Sequence, residues 1–319
     1  MALREEVTLA RVHAARERLS DHLRVTPVIP LPVRDGTVHL KCENLQPIGS
    51  FKLRGAGNAL LEARPEHIAS GVVTASAGNM AQGVAWWARK LGVTCTAVVP
   101  DTAPDAKLIP FQALGGRVLR VPYQEWWATL ERRGHPDAKG YFVHPVADPA
   151  VVAGNGTLAL ELLEQVPDLH TVLVPFGGGG LAGGIGATFH GMGRKVRVVG
   201  CEVETAAPLR ASLAADRPMA VDRIPSWVDG IGGSGMLAEM WPLVRAVVPE
   251  AAVSSLAEVA QAVRVLSGEA RLVAEGAGAA SLAPVLAGRV DPAGVVCVVS
   301  GGNINPGVLG TILAGGMPS

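Results

Sequence analysis

Short apolar runs, rich in β-branched residues, alternate along the chain with longer segments of helical periodicity. GVVTAS (71–76) precedes GNMAQGVAWWARKLG, TCTAVVP (94–100) precedes a helical stretch to Gly115, and RVLRVP (117–122) follows. The series resumes with TVLVPF (171–176) before GGGGLAGGIGATFHG, then VRVVGCE (196–202), and closes with VVCVVS (295–300) before GGNINP. Runs of this length bounded by glycine and proline read as strands, and the helical segments between them are the crossovers that parallel strands require. The expected class is α/β, with mostly parallel, helix-covered sheets and ligand loops at the C-terminal strand ends. Near the N-terminus, Leu9, Val12, Leu19 and Leu23 suit an amphipathic helix. Pro110 lies in an otherwise helical stretch and is predicted to start or kink the helix there. The segment AKGYFVHPVADPAVVAGNGT (138–157) interrupts the strand series with prolines and glycines, and reads as a crossing between domains.

Charge and cysteine usage narrow the partner. Lys plus Arg (28) equals Asp plus Glu (28), so no net charge is available to grip nucleic acid or an anionic membrane. At 319 residues and 49% hydrophobic, the chain has ample material for a core, and its partner is expected to be a small molecule. Cys42, Cys95, Cys201 and Cys297 are far apart, with no C-x-x-C pair, which points to buried thiols in a reducing cytoplasm. The N-terminal segment mixes acids with bases and lacks a signal peptide's apolar stretch. No run reaches the roughly 20 apolar residues of a membrane span.

Three loops and one lysine carry the candidate chemistry. In VLVPFGGGGLAGG (172–184), four successive glycines between a strand and a helix can form a concavity of backbone N–H groups that holds a phosphate. Gly178, Gly180 and Gly183 also satisfy G-x-G-x-x-G, with acidic Glu202 about 20 residues on, so a dinucleotide site is a rival reading. TASAGNMAQG (74–83) joins a strand to a helix, where Ser76 or Asn79 could serve as an N-cap. Ser300 ends the last strand in VVSGGNINP. Lys52 stands in ENLQPIGSFKLRGAGNAL (43–60), between a turn and the start of a helix; alone it would read as a solvated charge.

Taken in order, GSFKLRGA, SAGN, GGGGL and a terminal SGGN resemble the fold type II pyridoxal-phosphate enzymes, most closely the threonine/serine dehydratase and serine racemase group. The resemblance covers nearly the whole chain and includes HPVADPAVVAGNGT and VAEGAGAASLAPVLAG (273–288). It implies two open twisted α/β domains with the cofactor between them. The large one would be discontinuous, 1–70 and 148–319, and the small one, 71–147, would close on substrate. No C-terminal regulatory domain is expected. The likeness further implies that Lys52 carries pyridoxal 5'-phosphate as a Schiff base and that Phe51 lies at the cofactor. Gly177, Gly178, Gly179, Gly180 and Leu181 would bind its phosphate, Asn79 would meet the ring hydroxyl, and Ser300 would face the ring nitrogen. Ser76, Ala77, Gly78 and Asn79 would receive the substrate carboxylate. The implied reaction is β-elimination of water from a 3-hydroxy amino acid, giving a 2-oxo acid and ammonia, by a homodimer or homotetramer.

Departures from the family pattern bear on substrate and metal. Racemases of the group have a second serine where Ala77 stands, which favours the dehydratase over the racemase alternative. Met80 replaces a histidine, Asn155 a glutamine, and DGIGGSGM (229–236) lacks a basic pair, so threonine, serine or another 3-hydroxy amino acid fits. Some members bind Mg or Ca through a Glu, a carbonyl and an Asp; the matching positions are Glu202, Ala206 and Pro208, so the last carboxylate is missing. Glu275 matches a glutamate near the cofactor, and could equally cap the helix after it. An NAD-dependent dehydrogenase and a non-catalytic pyridoxal-phosphate binder are the alternatives from other classes.

Overall fold

The computed structural model describes residues 3–34 and 36–318. Among these residues ten strands form two sheets. Six of them, β1 (Val28–Val33), β2 (Gly36–Cys42), β7 (Thr171–Pro175), β8 (Arg197–Val203), β9 (Glu250–Ser254) and β10 (Val295–Val299), lie in the order β1-β2-β10-β7-β8-β9. The other four, β3 (Val72–Thr74), β4 (Cys95–Pro100), β5 (Arg117–Val121) and β6 (Tyr141–Phe142), lie in the order β5-β4-β3-β6. Every pairing is parallel except the antiparallel β1–β2 hairpin.

The six strand expectations are all met, with ends shifted by one or two residues. β7 and β10 are buried at every position, as continuous apolar runs in the middle of a helix-covered sheet should be. Alternation along β10 divides two cores: Val295, Cys297 and Val299 pack with Leu40, Val263 and Leu266, while Val296 and Val298 pack with Leu158, Leu162 and Ile185 on the opposite face. Pro30 and Pro32 fall in β1, an edge strand, where a missing N–H is tolerated. Of the two roles expected for Pro110, starting its helix is not the one it plays. Pro110 neither starts nor ends its helix, which runs Asp105–Ala113 with the proline inside; Pro104 and Asp105 supply the start a turn earlier.

Helix Lys52–Glu62 lies between the two sheets' helices and packs closely on both sides. A Cβ on Gly55 would sit 2.7 Å from Val151 in helix Pro149–Gln165, and one on Gly57 would sit 2.4 Å from the Trp87 ring in helix Asn79–Leu91. The RGAGN sequence thus lets one helix touch a neighbour from each layer at near-backbone distance. Trp87 is fully buried, and its Nε1 donates to the Leu53 carbonyl at 2.9 Å.

Candidate active site

The site lies where the loops leaving β2, β3, β7 and β10 meet. The lysine turn is laced to the loop after β10: Phe51 N donates to Ser300 O (3.0 Å), Gly302 N donates to Gly49 O (2.9 Å), and Ser50 bridges to Gly301. Gly49 has φ +69, which a tight turn here requires. Lys52 then opens its helix with the amine directed into the cleft, where Nζ donates to Pro145 O (3.1 Å) and lies 5.1 Å from the Phe51 ring centroid. Desolvation lowers its pKa to about 8, against a smaller opposing pull from the Glu275 carboxylate. The residue keeps some accessible surface.

The glycine loop follows β7 and leads into helix Gly180–Gly191. Gly179 is left-handed (φ +90), and no side chain caps the helix, so its first-turn amides face an open cradle. Gly178 is needed for space as well: a Cβ there would lie 2.5 Å from Val146. Asn155, buried beneath the loop, donates from Nδ2 to Gly180 O at 3.3 Å. Leu181 is buried in the sheet core. Replacing Gly178 by alanine is expected to push the loop off Val146 and weaken phosphate binding about tenfold or more, measured by titration with pyridoxal phosphate.

The third wall is the start of helix Asn79–Leu91. Its N-cap, Gly78, also lacks a side-chain cap, while Ser76 Oγ accepts from Gly78 N (3.3 Å) and Ala77 packs partly buried against the smaller sheet's core. Asn79 Nδ2 donates to Glu275 Oε1 (2.8 Å), and Asn79 Oδ1 accepts from Asn303 Nδ2 (2.7 Å). Glu275 occupies an N-cap position without capping; it reaches across to Asn79, and burial raises its pKa to about 7. Ser300 is buried at the end of β10. At the mouth of the cleft, Lys107 and Asp229 pair at 2.5 Å with both side chains partly exposed, an interaction worth about 1 kcal/mol or less.

A cofactor fits this arrangement: an amine of lowered pKa, a flat ring beside it, and an uncapped glycine cradle. The sequence profile described as "Pyridoxal-phosphate dependent enzyme" matches residues 19–301. The chain belongs to that family. It is a fold type II member of the threonine/serine dehydratase family. It is 36% identical over 323 residues to the L-threonine ammonia-lyase of Thermotoga maritima, covering 98% of this chain and 79% of that one. The fold superposes on serine racemase from Dictyostelium discoideum with TM-score 0.86 at 28% identity, covering 94% of this chain and 99% of that one. It superposes on the T.th. threonine deaminase with TM-score 0.82 at 31% identity, covering 93% of this chain and 99% of that one.

The loops holding Lys52, Phe51, Gly177 to Leu181, Asn79 and Ser300 come together around one cleft, as do Ser76, Ala77 and Gly78. Glu202 does not join them. Its carboxylate accepts from Leu209 N (2.7 Å) and Arg210 N (2.9 Å) at the start of helix Pro208–Ala215. That engagement removes the ribose partner a dinucleotide site would need. It also leaves the Mg or Ca expectation at Glu202 and Ala206 without support: both oxygens are occupied, burial raises the carboxyl pKa to about 7, and Pro208 begins the helix where a further carboxylate would be required. Among the described residues no group of three or more His, Cys, Asp or Glu could hold a metal ion. These residues do not fit a metal. Among the described residues no helix is long and apolar enough to cross a membrane.

Two contributors were not anticipated from sequence: Pro145, through its carbonyl, and Val146, which covers the glycine loop. Neither carries a reactive side chain, so nothing in their identities marks them.

Proposed function

We propose that the chain is a threonine/serine ammonia-lyase that eliminates water from a 3-hydroxy amino acid and yields a 2-oxo acid and ammonia. The observation that carries this reading is the Lys52 amine, desolvated to a pKa of about 8, in a cleft bordered by two helix starts that no side chain caps, at Gly179 and at Gly78; in the proposed reading these receive the phosphate and the substrate carboxylate, and Ala77 stands on the far face of Cα. The names of the Thermotoga maritima relative and of the T.th. deaminase structure support the same chemistry.

Pyridoxal phosphate, when bound, supplies the electron sink that makes a Cα proton removable. In this reading Lys52 holds it covalently, Phe51 lies beside its ring, and the amides of Gly177 to Leu181 hold its phosphate at a helix N-terminus. Asn79 approaches the ring hydroxyl. Ser300 faces the ring nitrogen as a neutral hydroxyl, which does not keep a proton there as a carboxylate would, and so suits elimination over transamination. The substrate carboxylate docks on Ser76, Ala77, Gly78 and Asn79, again at a helix N-terminus and without a basic side chain. Lys52, freed when the substrate amine replaces it, takes the Cα proton; its lowered pKa leaves a useful fraction as free amine near neutral pH. The Cβ–O bond would break with its electron pair on oxygen, and the hydroxide would leave as water with one proton, balancing the one Lys52 takes from Cα; the released enamine would shift a proton to become an imine, and addition of water would give the 2-oxo acid and ammonia. Closure of the smaller sheet's layer, held open or shut by contacts as weak as Lys107–Asp229, would exclude solvent during this step.

A screen of L-threonine, L-serine and other 3-hydroxy amino acids for 2-oxo acid release tests the proposal. Release from at least one, with equal ammonia, is expected; loss of Cα proton alone, without product, would overturn it. Ala77 adds a second test. An alanine cannot return a proton to the opposite face of Cα, so the natural protein should racemise serine far more slowly than it eliminates water. Ala77→Ser is expected to raise racemisation detectably, read by chiral chromatography. Fast racemisation by the unaltered chain would show that another group serves that face.

A further inference from the structure

Lys52 Nζ donates to a backbone carbonyl, that of Pro145. Such a contact is only as firm as the turn that carries it. The turn, His144 to Ala147, lies between β6 and helix Pro149–Gln165, and one side chain organises it. His144 Nδ1 accepts from the amides of Val146 (3.1 Å) and Ala147 (2.8 Å). Asp148 and Asn305 make the same pattern with Oδ1, accepting from the second and third residues on, at 2.8 and 3.4 Å in both cases. Those two cap helices. His144 caps none, because Asp148 already does so for the helix that follows.

The contacts made by the turn explain what it is folded for. Pro145 O meets the Lys52 amine. Val146 lies over the glycine loop, where a Cβ on Gly178 would be 2.5 Å from its Cγ1 and one on Gly180 would be 3.1 Å from its carbonyl oxygen. A single four-residue turn therefore bears on both the lysine and the phosphate cradle.

We propose that His144, as a neutral imidazole, is the positioning residue for both halves of the cofactor site: through Nδ1 it folds the 144–147 turn, which aims the Pro145 carbonyl at Lys52 and seats Val146 on Gly178 and Gly180. The inference rests on the reading of Lys52 given above.

The geometry fixes the protonation state. Two N–H donors pointing at Nδ1 require that nitrogen to be unprotonated, which leaves the proton on Nε2, facing Glu239 Oε1 at 3.9 Å. His144 is buried, with Arg133 and Lys52 as its cationic neighbours; burial, then those charges, push its pKa down to about 3. Arg133 in turn donates to Ala147 O (2.7 Å) and to Glu239 (2.7 Å), bracing the far end of the turn. The neutrality has a use. An aspartate could accept the same two amides, but its charge beside Lys52 would favour the ammonium form and remove the free amine that acts as base.

Three holoenzyme variants separate these roles, with thermal melting by circular dichroism recorded for each. His144→Phe keeps the ring and removes the acceptor; the Kd for pyridoxal phosphate should rise about tenfold and kcat at saturating cofactor fall about tenfold, with the amino-acid KM within about twofold. His144→Asn restores a neutral acceptor and should bring both values to within about threefold of the unaltered protein. His144→Asp should retain cofactor but shift the acid limb of the kcat–pH profile upward by about one unit. The proposal is overturned if His144→Phe matches the unaltered protein, or if His144→Asn melts normally yet is as impaired as His144→Phe. Should His144→Phe not fold, equal kcat–pH profiles for His144→Asn and His144→Asp would overturn it. Failure of the Lys52 reading is distinguishable, since Lys52→Ala would then keep its activity whatever residue 144 is.

Discussion

Replacing Lys52 by alanine is expected to abolish the borohydride-sensitive absorbance of the purified holoenzyme and to lower kcat/KM about a thousandfold or more. The residue combines two tasks that no neighbour can assume. In the proposed reading its amine holds the cofactor, and because Ala77 cannot carry a proton it is the only side-chain base proposed at Cα. The glycine cradle remains in the variant, so weak, noncovalent binding of pyridoxal phosphate should persist. Added primary amines should restore part of the rate if a base is all that is missing. Activity within about tenfold of the unaltered chain would show that another residue removes the proton.

Replacing Arg54 by methionine is expected to cost about 3–5 kcal/mol of folding stability, the second large effect. Arg54 stands two residues after the lysine and is buried between two carboxylates. Nε and Nη2 donate to Glu43 (2.7 and 2.8 Å), while Nη1 and Nη2 donate to Glu161 (2.6 and 2.9 Å). Lys41 Nζ completes the cluster, donating to Glu161 (2.5 Å), Gln165 (2.8 Å) and Thr26 O (2.8 Å). Two cations and two anions balance, and every carboxylate oxygen has a donor. Removing Arg54 would leave two buried carboxylates against one ammonium.

The pH dependence has a definite sign. Burial opposes ionisation of Glu43, but the Arg54 charge and its hydrogen bonds outweigh it and hold the folded-state pKa below the usual carboxylate value. That contribution is fully present above the unfolded pKa of about 4.3 and is lost as pH falls through the lower folded value. In Arg54→Met the stability should therefore begin to change at higher pH than in the unaltered chain. Urea denaturation at pH 7 and at pH 4 checks both points, and a loss under about 1 kcal/mol at pH 7 would show that the cluster relaxes without its arginine.

This buried cluster also explains where the sequence was hard to read. Strands β7 and β10 are uninterrupted apolar runs and announce themselves. β2 does not, because His39 and Lys41 break its pattern, and a lysine inside a sheet is concealed until Glu161 and Gln165, more than a hundred residues away, are placed beside it. β1 is masked by Pro30 and Pro32, which only an edge position accommodates. At the site, the four motifs led to the cleft because their order along the chain resembles the family's, although each alone reads as a surface charge, an N-cap or a turn. Glu202 misled for the opposite reason: an acid at a strand end reads equally as a ribose partner, a metal ligand or a helix cap, and only the positions of Leu209 and Arg210 decide among them. Pro145 was invisible because its contribution is a carbonyl oxygen, which every residue has.

The central claim is that Lys52 carries the cofactor in this cleft. Borohydride reduction of the holoenzyme, followed by proteolysis and peptide mass mapping, tests it directly. The account predicts one pyridoxyl group per chain, on the peptide containing Ser50 to Arg54 and assigned to Lys52. A label on Lys41, Lys107 or any other lysine, or none on a protein that still releases 2-oxo acid, would contradict it.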